Sequence, residues 1–136
     1  MKLSRQYYLE LGQPQRTRFI ARLPSFHGVT LGSLSMGGHV FRREMFEPML
    51  LPNISHVSPC NAYRGKKDGE SDEAYVERLA AELDAEFRRV GPDTVCAFVA
   101  EPIVGAVCFV DTPSDDLSNS HRPSDAYPRS RVTSAP

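Results

Sequence analysis

The sequence predicts an α/β fold with a mostly parallel sheet, on three observations. Residues 95–100, Val-Cys-Ala-Phe-Val-Ala, form a continuous apolar run bounded by Pro92 and Pro102, the pattern of a strand covered on both faces. Phe19-Ile20-Ala21, flanked by Arg18 and Arg22, is a shorter run of the same kind, and Pro24 stops it. Proline cannot donate to a sheet ladder, and it biases the residue before it toward extended geometry. An amphipathic helix leads directly into the 95–100 run, and helix followed by strand is the order of a parallel α/β layer.

The chain has 136 residues and a mass of 15.1 kDa, which allows one domain at most. A net charge of −1 gives no global field to draw the protein to nucleic acid or to an anionic membrane. No apolar run approaches the length needed to span a bilayer. The opening Met-Lys-Leu-Ser-Arg-Gln lacks the apolar core of a signal peptide. Cys60, Cys96 and Cys108 are too scattered for a disulfide framework, and their odd number suits a reducing compartment, so the cytosol is the expected address.

Taken in order, Leu3, Tyr7, Tyr8 and Leu11 form one stripe at helical spacing, with Gly12 placed for a left-handed cap and Pro14 beyond it. The first strand follows, then the loop Phe26-His27-Gly28 and a small-residue helix within 29–38. Residues 39–70 read as a long irregular passage holding Pro48, Pro52 and Pro59, Gly65 and Gly69, and a short apolar piece at Met49–Leu51. Ser71 is an N-cap candidate, with Asp72 and Glu73 in the first turn. Val76, Leu79, Ala80, Leu83, Phe87 and Val90 then mark a helical stripe, Asp84 and Arg88 form an i,i+4 pair, and Gly91-Pro92 ends the helix. Residues 111–136 are dense in Ser, Pro, Asp and Arg, with only Leu117, Tyr127 and Val132 as large apolar side chains. That composition cannot bury enough surface to offset its ordering entropy, so a disordered tail is expected there.

Ligands of open α/β sheets sit beyond the carboxyl ends of the strands, which singles out Phe26, His27, Gly28 and Glu101. A core aromatic at a strand end, a hydrogen-bonded histidine, an ordinary turn glycine and a solvent-facing carboxylate would read the same way. Glu101 needs a partner, a solvated cleft or a proton, because an unpaired buried carboxylate is costly. His56 and Cys60 make no zinc pair, and no second pair exists. Gly37-Gly38 lacks the Lys-Ser/Thr of a phosphate loop, and no GxGxxG follows either strand.

Two segments carry a family resemblance. Residues 18–38, RFIARLPSFHGVTLGSLSMGG, and residues 97–106, AFVAEPIVGA, with HVSPCNAYRG between them, resemble class III aminotransferases in the expected order. The likeness covers residues 1 to 107 and implies part of the large domain of the fold-type-I pyridoxal-phosphate transferases, a three-layer architecture with a mostly parallel sheet. The expected partition is 1–110 for this partial domain and 111–136 for the tail. The resemblance implies pyridoxal 5'-phosphate as cofactor, an amino donor and a keto acid as substrates, and a dimer with the 39–70 excursion near its interface. It places Phe26 where the family has an aromatic, usually tyrosine, stacked on the pyridine ring. His27 takes a supporting place, Gly28 a position against the ligand, and Glu101 a polar network beside the cofactor. Ala106 stands where many relatives carry a second glutamate that gates an arginine.

The reactive centre is what the sequence lacks. Transamination needs a lysine for the Schiff base and a carboxylate on the pyridine nitrogen. The three lysines are Lys2, Lys66 and Lys67, none in the family's glycine-rich setting after a strand, and Asp125 lies in the wrong surroundings. No residue is therefore assigned a catalytic role. The expected function is that of a class III aminotransferase fragment, inactive alone. The alternative is a non-catalytic interaction protein that pairs with a full-length aminotransferase through residues 71–90 and 39–70.

Overall fold

The computed structural model describes residues 1–101 and 104. The expected tail at 111–136, with Cys108 and Asp125, lies outside the described residues. In chain order the elements are α1 (Lys2–Glu10), β1 (Arg18–Arg22), α2 (Leu31–Met36), α3 (Val40–Arg43), a 3-10 helix (Glu44–Met49), β2 (Ile54–Val57), α4 (Ala62–Gly65), α5 (Asp72–Val90), a 3-10 turn (Pro92–Thr94) and β3 (Val95–Val99).

Three parallel strands form one sheet in the order β2-β1-β3. Phe19 pairs with Ile54 on one side and Ala97 on the other, and a register shift lies between Arg18 and Phe19 against β3. Alternate side chains of the central strand feed opposite faces. Phe19 and Ala21 join Met36 and Cys96 on one face, with Met1 and Tyr8 packed against them. Ile20 joins Val57 and Val95 on the other, under Leu83, Phe87 and Val90 of α5. Helices on both faces of a parallel sheet make the expected three-layer α/β arrangement.

One strand escaped the sequence reading. The passage 39–70 is not irregular throughout, because it contains β2 as well as α3, the 3-10 helix and α4. Ile-Ser-His-Val offers only two apolar residues, and prolines stand on either side at 52 and 59, so neither a run nor a periodicity marks it. The strand forms because Phe19 N–H donates to Asn53 O at 3.0 Å, Leu23 N–H donates to Val57 O at 2.9 Å, and Val57 is buried against Ile20 and Val95.

Helix α5 forms as its caps dictate. Ser71 accepts from Ala74 N–H at 3.1 Å, Arg88 Nε meets Asp84 Oδ2 at 2.9 Å, and Gly91 ends the helix at φ 92°. Its buried stripe, however, starts one residue earlier than the sequence suggests. Tyr75 is 3% exposed and Val76 is 59% exposed, because Tyr75 Oη accepts from Asn61 N–H at 2.9 Å and donates to Pro59 O at 3.0 Å. The larger ring with a polar tip takes the inner position and ties the loop before α4 to the helix. The α1 stripe is also corrected: Tyr8 packs against the core, whereas Leu3 is 83% exposed and Tyr7 and Leu11 are exposed too.

Arg16 links the start of the chain to β3. Its Nη1 donates to Val95 O at 2.7 Å and Pro92 O at 3.0 Å, and its guanidinium lies 4.6 Å from the centre of the Tyr8 ring. The Cys96 thiol donates to Arg16 O at 2.9 Å. Burial pushes that thiol above its ordinary pKa, as expected of an inert structural cysteine.

Candidate functional site

Parallel pairing brings the carboxyl ends of β1 and β3 to the same edge of the sheet. The chain leaves β1 through Pro24, and Ser25 is buried beneath the loop. Gly38 N–H donates to Ser25 O at 3.0 Å, which closes the loop over the start and end of α2. Thr30 caps α2 by accepting from Ser33 N–H.

The two sequence segments singled out above meet here. Phe26 N–H donates to Glu101 Oε1 at 2.6 Å, across 75 residues of chain. The carboxylate at the end of β3 thus finds a backbone donor in the loop after β1, a charge-assisted bond of the stronger kind. Phe26 is half-buried, and the Arg42 guanidinium lies over its ring at 4.9 Å from the centre. Gly28 sits at φ 119°, a conformation that L side chains rarely adopt, and a Cβ there would come within 3.2 Å of Ser33 Oγ. The crowding neighbour is therefore a side chain of α2, not backbone. His27 Nε2 is buried without a hydrogen-bond partner among the described residues, as is Ser25 Oγ. Orphaned polar atoms of this kind call for an explanation such as a missing ligand.

Two residues near the loop were not singled out by sequence. Arg43 Nη1 donates to Ser35 O at 2.9 Å and Gly37 O at 2.7 Å, satisfying the carbonyls that α2 leaves open at its end, while its Nη2 lies 3.5 Å from Glu47. On β2, His56 Nε2–H donates to Met36 O at 3.2 Å, and burial lowers the pKa of its ring. The His56 contact depends on β2, which the sequence does not mark, and the Arg43 contacts depend on how α2 and the 3-10 helix meet. Among the described residues no group of three or more His, Cys, Asp or Glu side chains could hold a metal.

Beside the Phe26 loop, α3 and the 3-10 helix wall a groove of about 360 Å³ together with Val29 and Leu34. The lysines lie elsewhere. Lys66 Nζ is paired with Asp72 at 2.9 Å before α5, Lys67 is exposed in the same loop, and Lys2 is on α1.

Comparison with known proteins gives a consistent set of likenesses. Residues 1–119 match the family described as aminotransferase class-III. An aminotransferase of Gibberella zeae is 64% identical over 109 residues, which cover 78% of this chain and 21% of that protein. A gamma aminobutyrate transaminase of Solanum lycopersicum is 35% identical over 114 residues, 84% of this chain and 22% of that protein. Among solved structures, the omega transaminase of Pseudomonas jessenii in complex with PMP superposes with a TM-score of 0.73 at 36% identity. That match covers 76% of this chain and 23% of the other. The chain therefore spans between a fifth and a quarter of the length of these relatives. No helix among the described residues is long and apolar enough to cross a membrane.

Proposed function

This chain belongs to the class III aminotransferase family, and from that premise we propose that it supplies one wall of a pyridoxal-phosphate pocket in amino-group transfer from an amino donor to a keto acid. The observation that carries the reading is the bond between Phe26 N–H and Glu101 Oε1, which joins the two family segments at one sheet edge. The residues present fit the cofactor. Phe26 offers a flat apolar ring with the Arg42 guanidinium over one face, Gly28 keeps the loop free of a side chain, and His27 Nε2 is a buried polar atom without a partner among the described residues.

When bound, pyridoxal phosphate supplies the electron sink that transamination needs. Phe26 would hold the ring by stacking, and its lack of a hydroxyl leaves that contact purely apolar. Glu101 would orient the loop through the Phe26 amide. His27 takes the supporting place, with Nε2 able to donate or accept. We assign no catalytic residue. The three lysines lie off the strand ends, and Lys66 is held by Asp72. The 136 residues by themselves are therefore proposed to be inactive, to work within a dimer, and to reside in the cytosol.

Replacing the matching segment of the Gibberella zeae aminotransferase with residues 17–101 of this chain tests the reading. The hybrid should retain pyridoxal phosphate and transaminate, and a folded hybrid without cofactor would refute the assignment of the wall. Borohydride treatment of the 136-residue chain with pyridoxal phosphate should label no single lysine. One stoichiometric adduct would overturn the view that the reactive amine is missing. A second reading, pairing with a full-length aminotransferase, is favoured by Phe41, Met45 and Met49, all exposed along 39–51. Co-purification with such a relative would support it, and a monodisperse monomer in its presence would not.

A further inference from the structure

We propose that His56 of β2 is a positioning residue that locks the end of α2, and through it the Phe26 loop, while its ring is neutral, and releases them when the ring takes a second proton. Naming that loop a cofactor wall rests on the reading above. The hold of His56 on it does not.

The lock is a relay of close contacts. His56 pairs with Ala21 in the sheet and shares its face, the side on which Met36 of α2 packs. Its Nε2 is 3.2 Å from Met36 O. A carbonyl oxygen brings no proton, so Nε2 carries the hydrogen and Nδ1 is the atom left to take another. Met36 is followed by Gly37, where a Cβ would stand 3.1 Å from Ser25 O, and by Gly38, whose N–H donates to that same oxygen at 3.0 Å. Ser25 is 1% exposed and directly precedes Phe26, so a shift of the helix end is passed to the loop. The charged groups that face the ring are the Arg43 guanidinium at the end of α3 and the Glu47 carboxylate of the 3-10 helix. Helix α2 brings none, and neither does Ala21. Burial, with the Arg43 charge behind it, lowers the ring's pKa below its ordinary 6.5, against the opposing pull of the Met36 and Ser35 carbonyls and of Glu47. A proton on Nδ1 is therefore better accommodated in water than in the packed site, and a protonated ring turns outward. Met36 O then loses its donor, while Arg43 keeps Ser35 O and Gly37 O, so the helix end loosens without unwinding. Since the folded pKa is the lower one, the lock is complete above 6.5 and is lost as pH falls below it.

The test is a nuclear magnetic resonance titration of the isotopically labelled 136-residue chain from about pH 8 to about pH 5, the range in which histidine is the side chain that changes charge. Every sample carries His39→Gln, so that the ring adjoining Gly38 makes no contribution to its amide. The His56 ring carbons and the Gly38 amide should move with one shared midpoint below 6.5. His56→Gln keeps a donor for Met36 O and takes no proton, so the Gly38 step should vanish. Glu47→Gln removes a carboxylate that favours the charged ring and should move both midpoints down together. The Glu47 side chain is 60% exposed, so its replacement leaves the packing intact. Circular dichroism identical to the parent shows that each variant is folded, and Glu47→Gln decides the matter if His56→Gln does not fold. A Gly38 amide that stays flat while the His56 ring titrates would overturn the proposal. So would a Gly38 step of the same midpoint in His56→Gln, or a midpoint that holds or rises in Glu47→Gln. The segment-exchange experiment reads pyridoxal-phosphate retention, so the lock and the cofactor wall fail separately.

Discussion

Removing the Glu101 carboxylate should loosen the Phe26 loop by an amount that the geometry sets. The bond from Phe26 N–H to Oε1 is 2.6 Å long and partly buried. Hydrogen bonds to charged groups contribute about 1.5–3 kcal/mol, and each 1.4 kcal/mol is about tenfold in an equilibrium constant. Glu101→Ala should therefore speed hydrogen exchange at the Phe26 amide by roughly 10- to 150-fold. Glu101→Gln keeps an acceptor without the charge and should fall between the two. The Leu23 amide, which donates to Val57 O at 2.9 Å, is the internal control. It belongs to the sheet and should hold its rate if the effect is local. Nuclear magnetic resonance exchange on parent and variants reads both amides together. Phe26 protection unchanged within about twofold in Glu101→Ala would refute the claim that this carboxylate organises the loop. Equal acceleration at Leu23 would show that the whole sheet had been weakened instead.

Two further outcomes concern contacts at the start of α5. Tyr75→Phe leaves Pro59 O and Asn61 N–H without their partner and should lower stability by about 1–3 kcal/mol. Tyr63→Phe, on a ring 96% exposed, should change nothing, and urea unfolding compares the two. The Glu70 carboxyl is held down to about 2 from its ordinary 4.5, chiefly by hydrogen bonds from Arg78 and then by the Lys67 amide. Its folded pKa is depressed, so the stability it adds is present above 4.5 and is lost as pH falls toward about 2. Arg78→Gln should return the Glu70 titration, followed by carbon-13 resonance, toward 4.5.

Sequence patterns found the elements that carry their own signals. Helix α5 has a capping serine, a charge gradient and a Gly-Pro stop, and β1 and β3 are continuous apolar runs. What the sequence could not show are features made by neighbours. Strand β2 exists because β1 provides its hydrogen-bond partners, and Tyr75 turns inward because Pro59 and Asn61 await its hydroxyl. At the candidate site, the order of the two family segments brought Phe26 and Glu101 under suspicion. Their bond was not legible, because it depends on the parallel pairing that aligns the two strand ends. Arg42 carries no local signature at all, since its stacking on Phe26 crosses from α3 to a loop.

The strand order also has a consequence for synthesis. Of the three described strands the central one is made first, and its two described ladder partners follow only when residues 54–57 and then 95–99 have been translated. Until then, Phe19 and Ile20 present unpaired backbone and bare apolar surface on a nascent chain, a state prone to mispairing. Arg16 can close the unit only at the end, when Pro92 and Val95 supply its carbonyls. A nascent chain with residues 54–57 released and residues 95–99 still inside the ribosome would thus have its middle strand paired along one edge alone.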